Sequence, residues 1–175
     1  MRYTIDGSHS SAEFTVRHLM ITNVRGRFGT LSGTVDYDPK APEASTINVT
    51  IDATSIDTRE AKRDAHLRSA DFFDVEKFPT LTFVSKRVTK SKDGLTALGD
   101  LTMHGVTKEI ALEVEGPTET TTDPWGNRRI GASATAKIHR KDWGLNWNAA
   151  LEAGGVVVGE QVKIAIEVSM IQAKV

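Results

Sequence analysis

Residues 162–170 read Val162-Lys163-Ile164-Ala165-Ile166-Glu167-Val168-Ser169-Met170, with five branched or flexible apolar residues separated by lysine, alanine, glutamate and serine. A period of two is typical of a β-strand that buries one face and exposes the other, whereas a helix repeats its apolar positions every three or four residues. The stretch therefore predicts a long, half-buried strand and excludes a helix.

Similar alternation elsewhere brings the number of predicted strands to about eight. It recurs at residues 47–53 and 110–115, with shorter versions at Phe14 and Val16, at Leu81 and Phe83, and at 98–102. Weaker candidates are residues 28–37, which we expect to bend at Gly29 or Gly33, and residues 129–139. The sequence has no βαβ spacing, so antiparallel hairpins are expected. We predict an all-β chain, with residues 1–175 forming one antiparallel eight-stranded barrel.

Two segments depart from the strand pattern. Residues 58–70 contain no glycine or proline, and Asp57 or Thr58 could cap a short helix there. Residues 142–155 hold two tryptophans and several asparagines and glycines, which favours a structured loop or a second short helix. The predicted barrel therefore carries one or two short helices.

Composition narrows the classes of function. The 22 Lys and Arg balance 23 Asp and Glu, so no bulk field favours nucleic acid as a partner. The chain lacks cysteine and any run of 18 apolar residues, which argues against disulfides and an integral membrane segment. The first residues do not resemble a secretory signal, so we expect a cytoplasmic protein, or a periplasmic or secreted one if a leader has been removed.

Catalysis is the less favoured class. The five histidines (His9, His18, His66, His104 and His139) show no metal-ligand spacing, and no nucleophile or phosphate-binding motif is present. We therefore predict no enzyme, no catalytic residue and no metal site, with a hydrolase as a minor alternative.

The interior of the barrel is left open by the alternation. An eight-stranded barrel is either filled by its own side chains or holds one small ligand. Alternation reports which side chains face inward, and it does not report whether they fill the space. A solid-core barrel that forms a homodimer and a hollow barrel that carries a ligand are both compatible with it.

The order of several motifs resembles the YceI-like family of bacterial lipid-binding proteins. The matching blocks include DGSHSSAEF at 6–14, RDAHLRSADFFD at 63–74, DPWG at 123–126 and DWGLNWN at 142–148. The resemblance implies a lipocalin-like barrel that sequesters or transports a polyisoprenoid, an isoprenoid quinone or a fatty-acid amide. It implies no cofactor beyond such a bound long-chain lipid, and it implies a homodimer.

A hollow barrel would make its inward-facing residues the lining of a tunnel. The predicted lining residues are Phe14, Val16, His18, Phe28, Phe83, Ile164, Ile166 and Val168.

A ligand with a polar head group would hold that group at an open end of the barrel, which we call the mouth. Arg59, Arg63 and His66 fall at i, i+4 and i+7 of the predicted helix and could present cationic groups to one anion. Trp125, Trp143, Asn146, Trp147 and Asn148 complete the predicted mouth, offering flat apolar surfaces and amides. The alternative is structural: Arg63 pairs with a barrel carboxylate, Asp64 pairs with Arg68, the tryptophans cap the core, and the asparagines satisfy loop backbone.

Overall fold

The computed structural model describes residues 1–152 and 154–174, which contain twelve β-strands and one α-helix, α1 (Ala61–Arg68). Short 3-10 turns occupy Gly7–His9, Pro42–Ala44, Ala53–Ser55 and Arg140–Trp143. The strands are β1 (Arg2–Ile5), β2 (Ser11–His18), β3 (Thr22–Phe28), β4 (Leu31–Asp36), β5 (Thr46–Asp52), β6 (Ile56–Asp57), β7 (Thr80–Ser91), β8 (Gly94–Met103), β9 (Val106–Glu115), β10 (Thr121–Thr122), β11 (Arg128–His139) and β12 (Val158–Gln172).

Eight strands form a closed antiparallel ring in the order β11, β9, β8, β7, β5, β4, β1 and β12, and β12 pairs back to β11. Each of these eight strands therefore has a hydrogen-bonded neighbour on both sides, although β9 and β11 pair over only three residue pairs. The predicted all-β fold, an antiparallel eight-stranded barrel with a short helix, is confirmed.

Three positions in the ring are each built from two consecutive strands separated by a bend. Strands β1 and β2 lie end to end, and both pair with β12 on one side. On the other side, β1 pairs with β4 and β2 pairs with β3. Strands β5 and β6 are also consecutive, and they pair with β4 and β3, respectively. The bend between β3 and β4 falls at Gly29 and Thr30, so the first of the two predicted glycine positions is the correct one.

Strands β1 and β3 were not predicted from the sequence. In β3 the alternation fails at Gly26, where the ring of Phe14 on β2 occupies the space that an inward side chain would take. A strand that contributes a glycine to the interior loses its apolar signal, although its pairing with β2 is continuous from Ala12 to His18.

The predicted helix at 58–70 begins later than expected. Helix α1 starts at Ala61, and the side chain of Glu60, instead of Asp57 or Thr58, caps it by accepting from the Arg63 amide. Arg59 has a φ of 64° and therefore lies in a left-handed turn before the helix. The expectation that Arg59, Arg63 and His66 share a helical face is wrong.

The up-and-down order gives the barrel two distinct ends. The helix end carries α1 and the connections β2–β3, β8–β9 and β11–β12. The terminal end carries the chain termini and the connections β4–β5 and β7–β8, together with the segment from β9 to β11. The predicted loop at 142–155 lies at the helix end, begins in the turn Arg140–Trp143 and is otherwise non-helical; its residue Ala153 lies outside the described residues.

Arg129 on β11 fastens the bend between β1 and β2. Its Nη1 donates to Asp6 at 2.7 Å, and its Nε donates to Asp123 at 2.7 Å. Further hydrogen bonds from Ser8 to Asp6 and from Asn127 to Asp123 stabilise the two carboxylates. Hydrogen bonding from these partners holds the pKa values of both aspartates well below their usual range.

We expect Arg129→Met to lower the free energy of unfolding at pH 7 and to flatten its dependence on pH. Depressed carboxyl pKa values contribute stability above about pH 4, and this contribution is lost as the pH falls further. In the variant both pKa values return toward normal, so less stability remains to be lost. Urea unfolding at pH 7 and pH 3 measures the difference.

Arg128→Met is the matched control, because Arg128 is exposed on the same strand. If Arg129→Met lowered the free energy of unfolding as much at pH 3 as at pH 7, the role assigned to the ion pairs would be contradicted.

Candidate functional site

The barrel encloses an apolar cavity of about 240 Å³. It extends from Tyr37, Ser45 and Pro117 at the terminal end to Leu67 and Leu145 at the helix end, and almost no polar atom faces it. Engineered apolar cavities of roughly 150 Å³ stay dry and take up benzene. This cavity therefore suits an apolar guest better than water.

The inward side chains of β12 show that the interior is hollow. Val162, Ile164, Ile166 and Val168 all line the cavity, yet each keeps an intermediate exposure. In a solid core such residues lose nearly all their accessible surface. The solid-core alternative therefore does not describe this barrel.

Aromatic side chains narrow the cavity at the helix end. The rings of Phe14 and Phe28 have centroids 5.7 Å apart, and Phe73 meets Phe28 edge-on at 5.6 Å. All three line the cavity, so this cluster sets its width where α1 covers the barrel.

Seven of the eight predicted tunnel residues line the cavity, all except His18. His18 pairs with Val158 and Thr22 at the end of β2 and is not among the residues that face the space. Ligand contact by any of the eight stays a prediction.

The charged residues of α1 hold the helix against the barrel. Asp64 is buried and accepts from the Thr58 amide at 2.9 Å and from its hydroxyl at 2.6 Å. Arg63 donates to the Thr58 hydroxyl at 2.7 Å and to its carbonyl at 2.8 Å. Arg68 donates to the carbonyls of Thr54 and Ile56. Within the described part of the chain, Arg63 forms no ion pair with a barrel carboxylate, and Asp64 forms none with Arg68.

His66 and Trp147 meet at the edge of this helix. Their ring centroids lie 4.7 Å apart, and both rings also contact Phe72. The Nε2 atom of His66 lies 2.8 Å from a carboxylate oxygen of Asp71. Of the predicted mouth residues, these two are brought into direct contact, whereas Arg59 is exposed and separate.

Two further predicted mouth residues of the 142–148 block, Trp143 and Asn148, have structural partners. Trp143 is 2% exposed and donates from Nε1 to the Leu101 carbonyl. Asn148 forms a pair of hydrogen bonds with the backbone of Val158, while Asn146 is exposed.

Trp125 lies at the other end of the barrel, in the turn that Asp123 holds, and is 80% exposed. None of the eight predicted mouth residues is among those lining the cavity. Their role in binding a head group stays a prediction.

Arg140 borders the cavity and was missed from the sequence. It is 4% exposed and donates to the carbonyls of Leu145, Trp147, Val158 and Gly159. Burial lowers its pKa from the ordinary arginine value. An arginine directly after a strand usually indicates an exposed charge. No pattern in the sequence therefore marks Arg140 as the residue that binds the backbone of the β11–β12 loop.

Among the described residues, Asp6, Ser8 and His9 lie together before β2, but they lack the geometry of a catalytic triad. His9 contacts both Ser8 and Asp6 through the same atom, Nδ1, whereas a triad uses opposite nitrogens of the ring. Across residues 1–152 and 154–174, no cluster of three metal-ligating side chains occurs. Within the same residues, no helix has the length and apolar character needed to cross a bilayer.

Comparison with known proteins identifies the family. A family model described as the YceI-like domain matches residues 3–170. The chain belongs to the YceI-like family. Protein YceI of Escherichia coli is 40% identical over 98% of this chain and 87% of its own length.

Solved structures agree with this assignment. A YceI-like protein from Campylobacter jejuni is 31% identical, with 90% of each chain covered and a TM-score of 0.75. A polyisoprenoid binding domain from Saccharophagus degradans superimposes with a TM-score of 0.70 over 98% of each chain. Its identity is 17%, so this second likeness supports the fold alone.

We expect Asp64→Ala to lower the free energy of unfolding by about 2–3 kcal/mol, because it leaves the buried Thr58 amide and hydroxyl without their acceptor. Lys62→Ala, an exposed change on the same helix, should stay within about 0.5 kcal/mol. Urea denaturation of both variants provides the comparison, and equal stability of the two would contradict the buried anchor.

Proposed function

We propose that the protein binds a long-chain apolar molecule in the barrel cavity and thereby sequesters or carries it. The observation that carries this proposal is the set of inward β12 side chains that face unfilled, apolar space. Each methylene moved from water into such a site gains about 0.8 kcal/mol. A hydrocarbon chain could therefore be held without any specific polar contact.

The shape of the cavity favours a chain over a compact molecule. Cavity-lining residues run along β12 from Val158 to Met170, which is roughly 40 Å of strand, or about 30 Å along the axis at the usual barrel tilt. A volume of about 240 Å³ spread over that length is narrow. A polyisoprenoid, an isoprenoid quinone tail or a fatty-acid amide has the required shape.

The Saccharophagus degradans protein of the same fold is described as a polyisoprenoid binding domain, so the isoprenoid members of this set are the ones to test first. Family membership and the apolar lining support binding without a chemical step, since almost no polar atom along the cavity could act as an acid, base or nucleophile.

A polar head group would lie at one end, outside the apolar stretch. Two of the predicted head-group residues, His66 and Trp147, are in ring contact at the helix end. Arg63 has further N–H donors besides the two that bind Thr58. We assign the head group to that end as part of the same proposal.

A series of fluorescent n-alkyl probes tests the tail site. Each added methylene should tighten binding by about four-fold, from 0.8 kcal/mol per methylene, until the tail fills the cavity. Native mass spectrometry of freshly purified protein should also show a discrete mass that solvent extraction removes. Affinity independent of tail length would overturn the proposal.

Blocking the cavity provides the mutational test. Ala134 lines the middle of the cavity on β11, and its neighbour Ala165 on β12 is exposed on the outer face. We expect Ala134→Phe to weaken probe binding at least about ten-fold, because the ring occupies the tail path. Ala165→Phe adds the same ring outside the barrel and should bind as the parent protein does.

A further inference from the structure

The turn between β2 and β3 exposes three consecutive large apolar residues, Leu19, Met20 and Ile21, which we name the hairpin tip. Their exposures are 37%, 51% and 75%. Among the described residues, the other strongly exposed large hydrophobic side chains, Met1, Val84 and Trp125, are not adjacent in sequence. Single exposed apolar residues are common, whereas a contiguous projecting group indicates a contact surface.

The backbone conformation of the hairpin tip does not require large apolar residues. Leu19 and Met20 have φ values of 51° and 63°, the conformation for which hairpin turns favour Asn-Gly. Bulky apolar residues are disfavoured there. The turn would form more readily with Asn-Gly than with Leu19 and Met20. The apolar side chains therefore have a role other than stabilising the turn.

The neighbouring loop packs against the hairpin tip. The Leu19 amide donates to the Val157 carbonyl, and the side chain of Met20 lies over Gly155. In the sequence, residues 149–158 contain a single charged residue, Glu152. The hairpin tip and this loop together therefore present little charge at the helix end.

Positive charge lies immediately behind the hairpin tip. Arg17, Arg25 and Arg27 are exposed on the outer face of β2 and β3, and none lies within 4.0 Å of a carboxylate in the part of the chain that is described. At about 3.3 Å per residue, the backbone of Arg17 is roughly 7 Å behind that of Leu19, and the backbone of Arg25 is roughly 13 Å behind that of Ile21. The guanidinium of Arg17 reaches forward and donates to the Met20 carbonyl at 3.3 Å.

This spacing matches the layers of a bilayer surface. Interfacial apolar groups bury about 5–10 Å into the boundary between head groups and acyl chains, which would place the arginines beside the phosphates. A protein partner of ordinary affinity would need a broad, complementary face of about 800 Å², whereas the hairpin tip is a narrow projection. The chemistry therefore favours a lipid surface that carries anionic head groups.

The hairpin is also continuous with the cavity. Val16 on β2 and Val158 on β12 both line the cavity, and His18, next to the hairpin tip, pairs with Val158. A surface that holds the hairpin tip would therefore lie against the helix end of the cavity.

We propose that the hairpin tip inserts into the interface of an anionic bilayer, with Arg17 and Arg25 contacting lipid phosphates. This docking goes beyond the proposed binding of an apolar chain and does not depend on it.

Vesicle co-sedimentation of the full chain tests the docking. The probes are vesicles of phosphatidylcholine alone and of an equimolar mixture with phosphatidylglycerol. We expect binding to the anionic vesicles that weakens with salt. The triple variant Leu19→Asn, Met20→Gly, Ile21→Thr should bind at least about ten-fold more weakly. Because Asn-Gly suits this turn, that variant should be no less stable than the parent.

Two further variants separate the contributions. Trp125→Ser removes an exposed ring at the opposite end and should bind vesicles as the parent does. Arg17→Gln with Arg25→Gln should abolish the preference for anionic vesicles. Absence of binding to either vesicle, or equal binding by the triple variant, would overturn the docking proposal.

Failure of docking and failure of chain binding are distinguishable. The triple variant should retain its affinity for the fluorescent alkyl probe in solution, whereas Ala134→Phe should keep its affinity for vesicles. Loss of vesicle binding in Ala134→Phe would contradict the assignment of docking to the hairpin tip.

Discussion

Pairing between β11 and β12 is the interaction on which the rest of the structure depends. It runs without interruption from Arg129 opposite Ile171 to His139 opposite Gln161 and turns an open sheet into a ring. Closure fixes the circumference at eight strands, and that circumference sets the width of the interior. Because β12 supplies medium-sized residues such as Val162 and Ile164 to that interior, the side chains leave a central space unfilled.

The walls of the barrel could be predicted because strand alternation records which side chains face inward. The hollow could not, since Ile164 and Ile166 would alternate in the same way around a solid core. Strand β3 escaped prediction because Gly26 leaves its inward position to the ring of Phe14. The start of α1 was misplaced because a left-handed residue, Arg59, cannot be recognised from its side chain.

Residues in or beside the motifs that identify the family hold separate parts of the barrel together. Asp6, Asp123 and Arg129 belong to distant parts of the sequence and meet in one cluster of ion pairs. Thr58 and Asp64 anchor the start of the helix, and Arg140 binds the backbone of the β11–β12 loop. In the sequence they are isolated polar or charged residues, whereas in the structure their partners are mostly backbone groups or one another. Such burial and pairing depend on the three-dimensional arrangement and have no signature in residue spacing.

The almost uniformly apolar lining has a consequence for how a guest would move. Dispersion and the hydrophobic effect are non-directional, so the apolar lining alone would give a chain no preferred rotation and no fixed register along the axis. A tail whose head group is not bound could slide lengthwise, exchanging one equivalent contact for the next, without breaking all contacts at once. Selection would therefore depend on girth and length, and chemically different tails of similar dimensions could share one barrel.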